Sequence, residues 1–351
     1  MNLPAHLQRF RDQILADPSL LAQKLDFFSQ RVLFLRFAVA DYRHASFLDD
    51  RILTPTTQGT WVSFDDVSLA LSGAIQARPL HLIFHAGHVG STLISRLLED
   101  VGGVLALREP LALRALAEAQ DVLGARDSLL SQDRFELLVR EQILLWSRGY
   151  ADTRAAIVKA TSAAARLGPA LLQACPTARA LYLHLPLQPY LATLLAGEHS
   201  VVDLRGHAAE RARRLKRFGQ ELLAPVYAMS IGELAAMSWL AERLTEGALS
   251  RACDERLLSL NFEQVLKTPE TSLRAICDHF QLDAPDSYFE NVARNPNWGR
   301  YSKAPEHPYS PQIREQILAE ARATKAEEIR KGLLWFEAMA AKSPLIQHLS
   351  I

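Results

Sequence analysis

The stretch Leu80-His-Leu-Ile-Phe-His85-Ala-Gly87-His88-Val89-Gly90-Ser91-Thr92-Leu-Ile-Ser-Arg-Leu-Leu-Glu-Asp-Val101 decides the fold. Its first five residues are a short apolar run, as expected of a strand buried on both faces. Gly87 and Gly90 bracket a tight turn. From Ser91 onward, Leu93, Ile94, Leu97, Leu98 and Val101 form one stripe at helical spacing. A strand, a glycine-bearing turn and a helix in that order open a βαβ unit. Glycines let the backbone approach a ligand closely, and a helix start offers unpaired amides, so the turn suits an anion. A plain tight turn with a capped helix accounts for the same residues equally well.

The pattern repeats downstream. Val104-Leu-Ala-Leu is a second strand ending at Arg108-Glu109-Pro110, and helical periodicity fills Leu111 to Ser147. Ala155-Ala-Ile-Val, ending at Lys159, is a third strand, followed by a helix from Ala163 to Ala174. Ala180-Leu-Tyr-Leu-His-Leu185, closed by Pro186, is a fourth, followed by a helix through Tyr190 to Ala196. Leu257-Leu-Ser-Leu-Asn-Phe262 is a fifth, and Thr268-Pro269 opens a further helix with Thr268 as its N-cap. Short strands alternating with helices predict an α/β fold: a parallel, doubly wound sheet of about five strands flanked by helices. Ligands of such sheets bind at the carboxyl ends of the strands, where Gly87, Glu109, Lys159 and Pro186 all fall.

Residues 76–310 then make the α/β core, with a helical insertion near 200–250. Residues 1–75 are expected to be a mainly helical addition with a hairpin or loop near Thr54-Pro-Thr-Thr-Gln-Gly-Thr. Residues 311–351 are expected to be one long C-terminal helix. Lysines plus arginines equal aspartates plus glutamates at 39 each, so no global field recruits nucleic acid or anionic lipid. Any anion site must be built locally. The three cysteines, Cys175, Cys253 and Cys277, are widely spaced and suit reduced thiols. The start lacks a basic region followed by an apolar run, and the apolar stretch Arg31 to Ala40 is too short to span a bilayer. The expectation is a cytoplasmic protein.

A nucleotide hydrolase of the Walker type fits poorly, because no lysine precedes Ser91 and the fourth strand ends without an acidic residue for magnesium. Gly87-His88-Val89-Gly90-Ser91-Thr92-Leu93 instead resembles the 5′-phosphosulfate loop of the P-loop-like sulfotransferases, usually Pro-Lys/Arg-Ser-Gly-Thr-Thr. Five further segments resemble that family in the expected order over about residues 80–305. Glu109 follows the second strand, where protein-tyrosine and bacterial members place a catalytic glutamate. Val158-Lys159 resembles their third-strand lysine, and Cys175-Pro-Thr-Ala-Arg-Ala-Leu-Tyr-Leu their approach to the 3′-phosphate strand. Asn261-Phe-Glu-Gln-Val-Leu-Lys-Thr-Pro-Glu and the late serine-bearing Arg300-Tyr-Ser302-Lys303 complete the series.

The resemblance implies 3′-phosphoadenosine 5′-phosphosulfate as sulfuryl donor, without a metal. It implies donor contacts from Gly87 to Thr92 and from Thr193, Ser302 and Lys303, and catalytic roles for Glu109, Lys159 and His88. The acceptor would be a small molecule, a glycan or a peptide. In two places the chain departs from the family. The loop's lysine or arginine is His88, charged only conditionally. The fourth strand's Arg-Asp-Pro is Leu185-Pro186-Leu187, so the arginine that grips the 3′-phosphate is missing; Lys303, Arg300 or the run Arg211 to Arg217 are candidates to compensate. Two other classes stay open: a phosphoryl or nucleotidyl transferase for a different nucleotide, and a relative that binds a nucleotide or partner without turnover. By itself His85 reads as a hydrogen-bonded core histidine, and the run Arg211 to Arg217 as an exposed helix face.

Overall fold

The computed structural model describes residues 4–300 and 309–349. Five strands, β4 (Leu80–His85), β5 (Val104–Arg108), β6 (Ala155–Lys159), β7 (Ala180–His184) and β8 (Leu257–Asn261), form a sheet of order β5-β6-β4-β7-β8. β1 (Leu20–Asp26), β2 (Arg31–Arg36) and β3 (Gly59–Ser63) form a separate antiparallel sheet. Every neighbouring pair of the larger sheet is parallel, as the sequence predicts. β4 and β6 are buried at every residue, which is why they read as unbroken apolar runs. The register aligns Ile83 and Arg108 with Lys159 on either side of β6, and His184 with Asn261. The carboxyl ends of all five strands therefore share one rim.

α4 (Ser91–Asp100), α5 (Leu111–Asp121), α6 (Gln132–Trp146), α7 (Gly168–Ala174) and α8 (Leu187–Ala196) connect these strands. The helical pattern expected across Leu111 to Ser147 is thus two helices; Ser131 starts the second by accepting from the Arg134 amide. The insertion consists of α9 (Glu198–Gly206), α10 (Ala208–Arg217) and the long α11 (Ile231–Cys253). After β8 come α12 (Phe262–Lys267), α13 (Pro269–Phe280) and α14 (Asp286–Asn291). Thr268 precedes α13 as expected, but its hydroxyl donates back to the Gln264 carbonyl at 3.1 Å and caps nothing.

Both terminal regions differ from expectation. Residues before β4 hold α1 (Ala5–Ala16), α2 (Val39–His44) and α3 (Phe64–Leu71), but also the three-stranded sheet, so the region is mixed and not mainly helical. The C-terminal segment is three helices, α15 (Pro311–Thr324), α16 (Ala326–Lys342) and α17 (Pro344–Gln347), because the chain turns at Lys325. α16 crosses α11 at backbone contact: a Cβ on Gly232 would lie 1.8 Å from the Glu328 carbonyl oxygen. No described helix is long and apolar enough to cross a membrane.

Candidate functional site

The central strand β4 delivers its chain into the loop between Gly87 and Gly90. Gly87 has φ 91° and Gly90 φ 69°, both in the left-handed region that glycine enters without strain. A side chain on Gly90 would also collide with the Phe262 ring, 2.0 Å from the nearest carbon, because Phe262 from the start of α12 lies over this turn. Gly90 caps α4. The amides of Val89, Gly90, Ser91 and Thr92 have no backbone acceptor among the described residues, and Ser91 and Thr92 are buried. Thr92 Oγ1 is buried without a hydrogen-bond partner. An orphaned buried hydroxyl beside unpaired helix-start amides is what an anion-binding loop leaves open before its ligand arrives.

The loop is fixed from beneath. His85, 3% exposed, accepts from the Gly87 amide through Nδ1 at 3.0 Å, so the ring proton sits on Nε2, which donates to the Ala160 carbonyl at 2.8 Å. His85 is the hydrogen-bonded core histidine that the sequence suggests. Tyr190 from α8 donates through its hydroxyl to the Ala86 carbonyl at 2.9 Å, and Ser238 Oγ from α11 lies 3.1 Å from the Tyr190 hydroxyl oxygen. Burial pushes the Tyr190 phenol well up, so it stays a donor. Where the family motif has proline, this chain has Gly87 with an amide that needs an acceptor. His85 is that acceptor, a role that its single position in the sequence did not reveal.

Beside the loop, at the ends of β6 and β5, Lys159 Nζ forms an ion pair with Glu109 Oε1. Lys159 is fully buried and Glu109 is 8% exposed. The Glu109 amide also donates to the Lys159 carbonyl at 2.6 Å. Glu109 has φ 52°. Among the described residues four non-glycines have positive φ: Gln30 in a turn, Gln281 at a helix end, and His88 and Glu109 at this rim. A left-handed conformation costs a non-glycine residue roughly 1–2 kcal/mol, and such strain gathers at functional sites. The alternative in which Glu109 caps the next helix does not hold. Pro110 occupies the cap of α5 without a side-chain cap, and the Glu109 carboxylate is turned to Lys159. Its neighbour Arg108, fully buried, staples β5 to Ser95 on α4 at 2.9 Å, to Glu99, and to the carbonyls of Tyr42 and Ala45 at 3.0 and 3.1 Å.

The other predicted residues are less concentrated. His88 is exposed and faces Asp203 of α9. Burial raises the Asp203 carboxyl, but the Arg211 guanidinium, with His207 and His88 beyond it, outweighs burial and holds it below the usual value. Thr193 lies on α8 with its hydroxyl donating to the Pro189 carbonyl at 2.8 Å. Ser302 and Lys303 lie outside the described residues. The run Arg211 to Arg217 is not simply an exposed face. Arg211 and Arg214 are buried, paired with Asp203 at 2.7 Å and with Glu242 at 2.8 Å, while Arg213, Lys216 and Arg217 are exposed. At the fourth-strand end Leu185 is fully buried, and its carbonyl accepts from Trp239 Nε1 at 2.8 Å.

A cleft of about 720 Å³ opens over the end of β6, between α5, the 3₁₀ turn Ser162–Leu167 and the α9–α10 pair. Ser162 on its wall comes within 3.6 Å of where a Gly87 Cβ would stand, so the cleft adjoins the loop. Its wall carries five arginines and five carboxylates, among them the pairs Arg166–Asp121 and Arg217–Asp121, at 3.0 and 2.7 Å.

No family model matches the chain, and no curated protein matches its sequence. Solved structures it is similar to include sulfotransferases. A sulfotransferase domain from the curacin biosynthetic pathway is 15% identical, with a TM-score of 0.38, covering 67% of this chain and 85% of that one. Mouse sulfotransferase SULT7A1, complexed with PAP, is 13% identical with a TM-score of 0.39, covering 83% and 96%. A sulfotransferase from Alicyclobacillus acidocaldarius is 14% identical with a TM-score of 0.35, covering 73% and 94%.

Proposed function

We propose that the protein is a sulfotransferase that moves a sulfuryl group from 3′-phosphoadenosine 5′-phosphosulfate to an acceptor hydroxyl or amine. One observation carries this: the buried ion pair of the strained Glu109 with Lys159 stands on the same rim as the glycine loop, Glu109 two strand spacings, about 10 Å, from β4 and Lys159 one spacing. The donor supplies a sulfuryl group already activated by its anhydride bond to phosphate. The amides from Val89 to Thr92 and the idle Thr92 hydroxyl hold its charged end, and His88 faces it from solvent when cationic. Glu109 takes the proton that the acceptor loses as its oxygen or nitrogen bonds to sulfur and the bond from sulfur to the leaving phosphate breaks. Lys159, spent on Glu109, orients that base and is less available to the leaving group than the motif alone implies. The acceptor approaches through the cleft beside Ser162, whose wall of charges, with no Phe, Tyr or Trp among the described residues that line it, suits a hydrophilic molecule over a phenol or sterol. Three buried thiols suit a reducing compartment, and we assign the protein to the cytoplasm.

Leu185 favours a second reading: with no arginine there, the chain binds a nucleotide that lacks a 3′-phosphate. Titration calorimetry with 3′-phosphoadenosine 5′-phosphate, AMP and ATP, each with and without magnesium, separates the two. The bisphosphate is expected to bind most tightly and without magnesium. Equal affinity for AMP, or a strict need for magnesium, would replace sulfuryl transfer by a phosphoryl or nucleotidyl reaction.

A further inference from the structure

His85 takes no part in the chemistry proposed for the rim, yet it touches both halves of it. Gly87, at positive φ, has its amide turned inward onto the His85 ring. A buried amide without an acceptor is costly, and the acceptor it finds is the His85 ring. The opposite ring nitrogen is used too, on the carbonyl of Ala160, the residue directly after Lys159. One neutral imidazole thus spans the turn that would hold the donor and the end of the strand that carries Lys159, the partner of the proposed base.

We propose that His85 is a positioning residue that presets the glycine loop by accepting from Gly87 and donating to Ala160, with Tyr190 fixing the Ala86 carbonyl from the other side. This rests on the loop being the donor site. Preset in this way, the Gly87 amide is spent within the protein, and the anion is left to the amides that follow it. A loop held beforehand loses less entropy when its ligand binds.

Two isosteres divide the ring into its halves. His85→Asn places an amide oxygen where Nδ1 stands and keeps the bond to Gly87; His85→Gln places an amide nitrogen where Nε2 stands and keeps the bond to Ala160. Affinity for 3′-phosphoadenosine 5′-phosphate, melting temperature and exchange of the Gly87 amide are measured for both. The Asn variant is expected to bind within about threefold of wild type. The Gln variant should bind about tenfold more weakly or worse, from the stranded amide. Gly87 exchange should be slow in wild type and the Asn variant and fast in the Gln variant, at similar melting temperatures. Equal losses in both variants, or a Gln variant that binds like wild type, overturn the proposal. So does a Gln variant that fails to fold while the Asn variant folds, because His85 would then belong to the core alone. If wild type binds no bisphosphate, sulfuryl transfer fails, but Gly87 exchange still decides the role of His85.

Discussion

The two sides of the sheet rim are built on opposite principles. At the ends of β4, β5 and β6, charge is kept and paired: Glu109 on Lys159, both buried, with strained backbone at Glu109 and His88 and an idle hydroxyl on Thr92. At the end of β7, charge is absent or suppressed. Leu185 fills its place as a buried apolar residue, and burial, with Arg243 adding to it, pushes the His184 imidazole down to about 4. The first side keeps ionisable groups at the rim and the second is packed as core. Under the proposed function, the contrast means that the half of the site facing the 5′ end of the donor keeps its charges while the half that would grip a 3′-phosphate is packed as interior.

Removing the base tests the charged side most severely. Glu109→Gln keeps the shape and loses the basicity, so turnover should fall about 10²- to 10⁴-fold. Bisphosphate affinity and melting temperature should stay near wild type. Normal turnover would make the two sides functionally alike.

Putting the missing charge back tests the packed side. Leu185→Arg sets a guanidinium among buried apolar neighbours and beside a carbonyl already engaged by Trp239, and should cost about 3–5 kcal/mol of stability. Chemical denaturation reads this directly. A variant as stable as wild type that binds the bisphosphate more tightly would mean that the two sides differ by a single side chain.

Acidity offers a third test. The unfolded chain protonates His184 near 6.5 and the folded protein only near 4, so stability falls as pH drops through that window, by up to about 3 kcal/mol. Above 6.5 both states are neutral and the contribution vanishes. His184→Gln should therefore shrink the difference in melting temperature between pH 7 and pH 4.5. An unchanged difference would show that the end of β7 is wetter than its packing implies.

The smallest effect belongs to His88, which is exposed. His88→Ala should lower bisphosphate affinity by about three- to tenfold, as exposed charges contribute little, and His88→Lys should retain it at alkaline pH. Normal binding by the alanine variant across the pH range would remove His88 from the site.

The charged side was legible in the sequence for a physical reason. β4 and β6 are buried on both faces, so they stand out as apolar runs, and the residues that end them fall on the rim by the geometry of a parallel sheet. The N-terminal sheet was not legible. A register shift between Ala22 and Lys24 breaks the alternation of β1, and the turn before β2 uses Gln30 at φ 51° where a glycine would have announced it. The burial of Arg211 and Arg214 was hidden because one of the partners that draw them inward, Glu242, lies on α11, well beyond their own helix. His85 could be placed in the core from its strand, but its bond to Ala160 joins positions 75 residues apart, which no local pattern encodes.

Phe262, which roofs Gly90, enters the chain long after the loop it covers. During synthesis the glycine loop emerges early and stays uncovered until β8 has left the ribosome and paired with β7. Non-local closure of this kind is slow, since the intervening chain must first be ordered. Under the proposed function, donor capture is therefore expected to be among the last properties the nascent protein acquires. A fragment ending before residue 257 would retain the loop's sequence without its roof. If the bisphosphate binds as proposed, its affinity doubles as an assay of whether folding has run to completion.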